Sequence, residues 1–592
     1  MTEGMLNYMN LFRKILSIFS PHQLREGTII VFLMVVGAAF EALGIGVILP
    51  LISIMNDEKF LNEHQKFFQS IEIINIQDHN SFIILLSFLL IIIYLIKNAY
   101  IAWETKVQIN FCRKNQEYFS KQLMAEYLSK PYLFHLNNST TKLLRNVNNV
   151  GNIIFNNILI SLLGLLTEVI TVITIWIMLA YIDIFSATAV VCFFSLVLYS
   201  VIKFFRKKLD NQGKIVNEYS SQYLKWVNQG LGAIKETKVM RKEEYFLKSF
   251  SNAYEKYCRA NSVYSFINQI PRIIIETVVV SGMLVLIILK VLFGNEASSI
   301  IPVLGVLAIA AFRLMPSANR IVNLVNTIKF HAPFFFEVYP ELIQIKLHTK
   351  EYFTCDEIES MTFDIVIEVK NVSFKYPDSE KLVLSDISLE IPKGAFVGIV
   401  GPSGVGKTTF VDILLGLLVP SHGEIIVDNV DIHSNIRAWQ SHLAYVPQNI
   451  YLIDGTISEN IALGTDFKNI DSALMNNVLK MAEIDEFIAQ LPNGINTVVG
   501  ERGIRLSGGQ RQRIGIARAL YQQPNVLILD EATSALDNKI EKNITETILR
   551  LKGLVTIITI AHRISTLEQC DFKIVFNDNK IEVCENKNNI FL

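Results

Sequence analysis

Six apolar runs, each long enough to cross a membrane, follow one another in the N-terminal half of the chain. They lie near 27–54, 81–103, 153–181, 184–204, 265–292 and 298–322. A helix needs about 20 apolar residues to span a hydrocarbon core of about 30 Å. One such run can be a buried helix of a soluble protein, but six in succession cannot be explained that way. Composition agrees: 18 % of residues are charged and 51 % hydrophobic, whereas a soluble protein carries about 25 % charge. The deficit belongs to 27–330, and residues 366–592 read as an ordinary soluble α/β domain. The first run is too long for the apolar core of a signal peptide, about 7–15 residues, so no cleavable leader is expected.

The connections between runs are lopsided. Those near 104–152 and 205–264 are long, and those near 55–80, 181–184 and 293–297 are short. The long ones are rich in Lys and Arg, for example Lys106, Arg113, Lys114, Lys207, Lys208 and Arg241, while 55–80 has only Lys59 and Lys66. Positive charge stays on the cytoplasmic side. Both long connections, both termini and the soluble domain are therefore expected in the cytoplasm. The long connections hold few Gly or Pro and keep helical spacing, so they read as membrane helices continuing into the cytoplasm. Pro131-Tyr132-Leu133-Phe134 and Gln229-Gly230-Leu231-Gly232 mark the short cross-pieces where they turn back. Apolar residues at such tips point to docking on a partner surface. At 56–71, Phe60, Leu61, Phe67, Phe68 and Ile71 share one helical face. That pattern fits a surface-lying amphipathic helix and a loop helix packed on protein equally well.

Ionisable residues inside the runs are costly unless paired or facing water, and so mark pathways by default. They are Glu41, Glu168, Arg272, Glu276 and Arg313. Arg272 and Glu276 are four apart and can pair along a helix. Glu41 and Arg313 have no partner nearby in sequence, which favours a water-filled cavity. A net charge of −1 gives no basic field for nucleic acid. The six cysteines form no CxxC or zinc spacing and read as structural or incidental.

The soluble domain carries the chemistry. An apolar strand at 395–400 runs into Gly401-Pro402-Ser403-Gly404-Val405-Gly406-Lys407-Thr408-Thr409 and then an apolar helix. This is a phosphate-binding loop between strand and helix. Its backbone N–H groups and the helix N-terminus receive phosphate oxygens. Lys407 reaches the β- and γ-phosphates, and the Thr408 hydroxyl suits Mg2+. A second apolar strand ends in Asp530-Glu531. The first acid suits Mg2+, and the second suits a base for the attacking water. Between them, Leu506-Ser507-Gly508-Gly509-Gln510 opens a helix and offers a second anion site. One nucleotide needs only one phosphate loop, so the second element is expected to serve a nucleotide held by another copy.

These motifs resemble the nucleotide-binding domain of the ATP-binding cassette (ABC) transporter superfamily over about 366–585. The resemblance implies further roles. Tyr376 stacks on adenine, Gln448 senses Mg2+, Ser534–Asp537 couples the two sites, and His562 holds the γ-phosphate. Membrane domain before cassette resembles an exporter-type half-transporter. That implies a homodimer whose sites pair 401–408 of one chain with 506–510 of the other, and coupling helices near 132–139 and 229–237. Many such exporters read Thr-Glu-Val-Gly-Glu-Arg-Gly before the signature. Here Val498 replaces the first acid in Thr497–Gly503, which puts some charge contacts to the membrane domain in doubt. The expected architecture is a membrane α-helical bundle over 1–330, with six transmembrane helices and long cytoplasmic extensions. A linker over 331–365 joins it to an α/β P-loop ATPase domain over 366–592. Bound ATP and Mg2+, and a bacterial inner-membrane location, follow from the same resemblance.

Phe312-Arg313-Leu314-Met315-Pro316-Ser317-Ala318-Asn319-Arg320-Ile321 resembles bacterial flippases for lipid-linked oligosaccharides. The cargo expected on that basis is a polyprenyl-pyrophosphate-linked glycan in the membrane lipid, with Arg313, Arg320 and Glu41 as contacts. Snorkelling at a helix end is the competing reading of the two arginines. A multidrug or lipid A-like exporter is the alternative function.

Overall fold

The computed structural model describes residues 2–46, 79–182, 184–292, 297–347, 361–377, 379–531, 538–560, 567–577 and 580–585. The chain divides into two compact units. One comprises 1–130 with 137–352, the other 131–136 with 353–592.

The first unit is helical. Its elements among the described residues are α1 (Thr2–Ile18), α2 (Pro21–Gly46), α3 (His79–Ser129), α5 (Thr140–Asn149), α6 (Ile160–Ile182), α7 (Ile184–Gly232), α8 (Ile234–Val239), α9 (Glu243–Leu292) and α10 (Ala297–Leu347); α4 (Tyr132–Asn137), at the first cross-piece, falls almost wholly in the second unit. At 1.5 Å per residue, the 51 residues of α3 reach about 76 Å, far beyond a hydrocarbon core. Helices α7, α9 and α10, of 49, 50 and 51 residues, are of similar length. Four helices among the described residues are long and apolar enough to cross a membrane. Val150–Leu159, between α5 and α6, winds as a π-helix, which the sequence reading did not foresee.

Two expectations change. The chain does not turn at Gln229–Gly232; α7 runs through it and breaks at Ala233, and the cross-piece is α8. Glycine lowers helix propensity by about 1 kcal/mol, too little to end a helix of 49 residues. The first half of the expected linker is also helical, because α10 continues to Leu347. The segment 56–71 lies outside the described residues.

Helices α6, α7, α9 and α10 meet at a core of Ile175, Phe194, Val201, Ile275, Val279, Leu314, Ala318 and Val322. Helices α7 and α10 approach closely at Gly213, where an added Cβ would run into the Phe330 carbonyl oxygen. Phe19, just past α1, joins Phe111 and Phe119 of α3 and Phe155, with Phe119 and Phe155 stacked at 5.1 Å.

The second unit is α/β. A six-stranded sheet has the order β10-β9-β3-β8-β7-β6. Its strands are β3 (Phe396–Val400), β6 (Leu443–Val446), β7 (Val526–Asp530), β8 (Thr556–Ile560), β9 (Phe572–Asn577) and β10 (Lys580–Glu585). All neighbours are parallel except the β9–β10 pair. Its central strands are buried on both faces, which explains runs such as Val-Leu-Ile-Leu. A four-stranded antiparallel sheet, β2-β1-β4-β5, lies beside it, built from β1 (Val366–Phe374), β2 (Leu384–Pro392), β4 (His422–Val427) and β5 (Val430–Asp431). Residues 131–136 belong to this unit, and Leu133 packs against its apolar core.

Candidate nucleotide site and membrane charges

Parallel strands place ligands at their carboxyl ends, and register puts the acid where the phosphate loop needs it. Ile399 of β3 stands opposite Ile560 of β8, and Ile560 stands opposite Asp530 of β7. Asp530 is therefore level with the last residues before the loop. The loop closes on the helix Lys407–Leu414. Gly406 adopts φ +108°, and a Cβ there would meet Leu384 at 3.0 Å, so only glycine fits. Ser403, Gly404 and Thr408 are exposed, while Lys407 and Thr409 are buried. The Lys407 ammonium donates to the carbonyl oxygens of Gly401 (2.7 Å) and Pro402 (2.9 Å), lying across the loop it is expected to serve.

Tyr376, just past β1, is held edge-on to Phe374 with ring centres 5.0 Å apart. Its hydroxyl shares a hydrogen bond of 3.2 Å with Thr409. That fixes an aromatic ring beside the start of the loop helix. Gln448 donates to the Glu531 carboxylate at 2.8 Å. Glu531 has φ +49°, an uncommon and strained conformation for such a residue and one found at functional sites. Its N–H donates to the Ile560 carbonyl, so the strain is held by the sheet.

Sequence reasoning missed Tyr445, Asp412 and Arg518. The Tyr445 hydroxyl donates to Asp530 at 3.4 Å. Burial, and then the neighbouring Asp530, push the Asp412 carboxyl up to about 6. Arg518 donates to the carbonyls of Asn460 (2.7 Å) and Tyr451 (2.9 Å). It ties the helix Gly508–Tyr521 to the segment after Gln448. No motif spacing marks these three residues, because the partners of each come from other segments of the chain.

The helix expected at the signature begins at Gly508. Ser507 and Gln510 form a reciprocal capping box: the Ser507 hydroxyl accepts from the Gln510 N–H (3.2 Å) and the Gln510 side chain from the Ser507 N–H (2.8 Å). Gly508 and Gly509 stand at the N-terminus of that helix. The loop Ser534–Asp537 and His562 lie outside the described residues.

The residues fit ATP and Mg2+. No cluster of three or more His, Cys, Asp or Glu occurs among the described residues. Mg2+ needs none, since it is usually held by one or two carboxylates, waters and phosphates. Thr408, Gln448 and Asp530 are the side chains whose oxygens would face such an ion.

In the helical unit the charges are not where sequence left them. Glu41 is not alone. Its carboxylate lies 3.9 Å from the ammonium of buried Lys97 in α3. Local sequence could not show a partner on another helix. Arg272 and Glu276 are both exposed, and no ion pair between them occurs among the described residues. Arg320 of α10 pairs with Glu168 of α6. The side chain of Arg313 lies outside the described residues.

Residues 384–534 match the protein-family model described as "ABC transporter". Over 363 residues the chain is 32 % identical to ABC transporter B family member 29, chloroplastic, of Arabidopsis thaliana, covering 61 % of this chain and 56 % of that one. It is 41 % identical over 216 residues to the ATP-dependent lipid A-core flippase of Bordetella avium (strain 197N), 36 % of each chain. It is 43 % identical over 233 residues to ATP-binding cassette sub-family B member 10, mitochondrial, of Mus musculus, 38 % of this chain and 32 % of that one. The chain thus spans from about a third to just over half the length of these relatives. The solved structure of a bacterial Atm1-family ABC exporter with ATP bound superposes with a TM-score of 0.74 at 23 % identity over 96 % of each chain. The second unit is thus a P-loop ATPase domain joined to a multi-pass helical membrane unit. It is an ABC transporter ATPase domain, and the whole chain has the fold of an ABC exporter half-transporter.

Proposed function

We propose that two copies of this chain form an ATP-driven exporter that moves an amphipathic, anionic cargo across a bacterial inner membrane. The carrying observation is the convergence at the ends of β3 and β7. Lys407 follows the carboxyl end of β3, and Asp530 and Glu531, with its Gln448 partner, stand at the carboxyl end of β7, with β8 between them in the same sheet. In this reading ATP closes the two cassettes, each site taking 401–408 from one chain and 506–510 from the other. Tyr376 receives adenine, and Thr408, Gln448 and Asp530 hold Mg2+. Glu531 takes the proton of the attacking water, and His562 holds the γ-phosphate. The cross-pieces carry closure to the membrane helices. Leu133, packed on the cassette core, supports that role for the first of them.

The cargo favoured is a polyprenyl-pyrophosphate-linked oligosaccharide. Support comes from the motif 312–321 and from Arg320, whose side chain is 53 % exposed although it lies in an apolar run. Arg313 and Glu41 complete the proposed contacts, and Glu41 acts there through its pair with Lys97. A lipid A-like cargo is the second reading, because flippases of that name are among the relatives. Their likeness covers 36 % of this chain.

The test is ATP-dependent translocation of a fluorescent lipid-linked oligosaccharide in proteoliposomes, with Glu531→Gln as control. Movement by the wild type alone supports the reading. Robust ATP hydrolysis without movement discards this cargo and leaves the exporter.

A further inference from the structure

Glu168 and Arg320 are 152 residues apart and hold each other across two helices. The guanidinium engages both carboxylate oxygens, Nε to Oε1 and Nη2 to Oε2 at 3.2 Å, and Nη2 also reaches the Ser317 hydroxyl at 3.3 Å. The two partners are unequally placed. The Glu168 side chain is 11 % exposed and that of Arg320 is 53 % exposed. The anion is enclosed, and the cation keeps an open face. A guanidinium carries five N–H donors, and Nη1 of Arg320 bonds to none of the described residues.

We propose that Glu168 is a stand-in anion. It occupies Arg320 until a head group takes its place, and so sets the charge a head group must carry to be accepted. The inference rests on the reading that anionic lipid-linked cargo meets Arg320. Its physical basis is an asymmetry of costs. Taking Arg320 away leaves Glu168 as an uncompensated buried charge, which is the expensive half of breaking a buried pair. A head group with one negative charge offers what the carboxylate already offers, so exchange gains nothing. A diphosphate carries more charge, and its attraction grows with the charge product. It also has oxygens left for Nη1. The pair therefore admits diphosphate lipids and refuses singly charged phospholipids, which are abundant in any membrane that holds such a cargo. Specificity of this kind comes from a cost placed on the wrong ligand.

The test uses full-length protein in phosphatidylcholine nanodiscs and reads stimulation of ATP hydrolysis. The probes are undecaprenyl diphosphate, undecaprenyl monophosphate, phosphatidylglycerol and inorganic diphosphate. Wild type is expected to respond to the lipid diphosphate at a concentration at least about tenfold below that for the lipid monophosphate, a difference of about 1.4 kcal/mol. Glu168→Gln should bring the two together, and phosphatidylglycerol should begin to stimulate. Arg320→Ala should lose the response, and adding Glu168→Gln to it should change nothing further. Inorganic diphosphate separates a soluble anion from a lipid head group; a response to it alone overturns the inference. Wild-type selectivity retained in Glu168→Gln overturns the inference and spares the cargo reading. So does a wild type that responds equally to both polyprenyl lipids. No response of wild type to any probe overturns both. Should Glu168→Gln fail to assemble, Glu168→Asp should narrow the same ratio by less, and an unchanged ratio there overturns the inference too.

Discussion

Lys407 and Arg145 are both basic and both buried, Lys407 at 8 % exposure and Arg145 at 3 %. Their partners differ in kind. Lys407 bonds to backbone carbonyls five and six residues back along its own loop. Arg145 of α5 reaches the Asn217 carbonyl (2.9 Å) and the Ser221 hydroxyl (2.6 Å) on α7, and the Glu337 carboxylate (2.8 Å) on α10. The cassette positions charge with local backbone. The helical unit positions it with side chains that the chain brings together only by folding. Function in the first is written in contiguous motifs, and in the second it is spread over helices with no common spacing.

The largest expected effect tests the local side. Glu531→Gln keeps the shape, the strained backbone and a partner for Gln448, and removes only the base. ATP turnover should fall roughly 10²–10⁴-fold, the range for a positioned base, while ATP binding persists. A variant that turns over at full rate would remove Glu531 from the chemistry. Lys407→Ala should lose binding and turnover together, which nucleotide-binding and hydrolysis assays on one preparation can separate.

The next tests the non-local side. Arg145→Ala leaves Glu337 half-buried beside Asn217 and Lys142. Removing one partner of a buried pair costs about 3–5 kcal/mol. Thermal unfolding of the helical unit should move down sharply, with ATP binding by the cassette retained. Arg145→Met combined with Glu337→Leu should recover most of the loss. If the double variant is as unstable as the single, packing and not charge explains the residue.

The same contrast explains what sequence reading could reach. In the cassette the strand before the loop, the helix after it, the strand ending at Asp530 and the helix opening at Gly508 form where the sequence places them, because strand–loop–helix order is a local property. Tyr445, Asp412 and Arg518 were illegible because their partners come from other segments. In the membrane runs the charged residues were visible, but not their pairs. Glu41 has no partner nearby in sequence, yet Lys97 lies across from it. The spacing of Arg272 and Glu276 allows a pair, yet no bond joins them among the described residues. Spacing predicts contact only along one helix, and here the decisive contacts run between helices.

A smaller effect probes the edge of the local side. Tyr376 is set by Phe374 and Thr409, not by the loop itself. Base–aromatic stacking contributes about 1–3 kcal/mol, so Tyr376→Ala should raise the half-saturating ATP concentration roughly 5- to 150-fold. The rate at saturating ATP should hold. A fall in that rate with unchanged affinity would place Tyr376 in the chemistry instead.

The smallest effect is a matter of pH. Burial works against the charged form of Glu337, but hydrogen bonds from Asn217 and Arg145 and the charges of Arg145 and Lys142 outweigh it and hold the carboxyl below its ordinary value. Its neighbour Glu341, bonded to the Tyr127 hydroxyl, is pushed up chiefly by burial. A depressed carboxyl contributes stability above its unfolded value and loses it as pH falls through the folded value. Glu341 has the opposite sign, favouring the fold most when protonated. Wild type should therefore be more stable than Glu337→Gln near neutrality, and the two should converge as pH falls below the ordinary carboxylate range. Unfolding midpoints of the pair across that range decide it. A gap that stays constant with pH would mean that Glu337 is held by packing and hydrogen bonding alone, and that the helical unit does not use its charge.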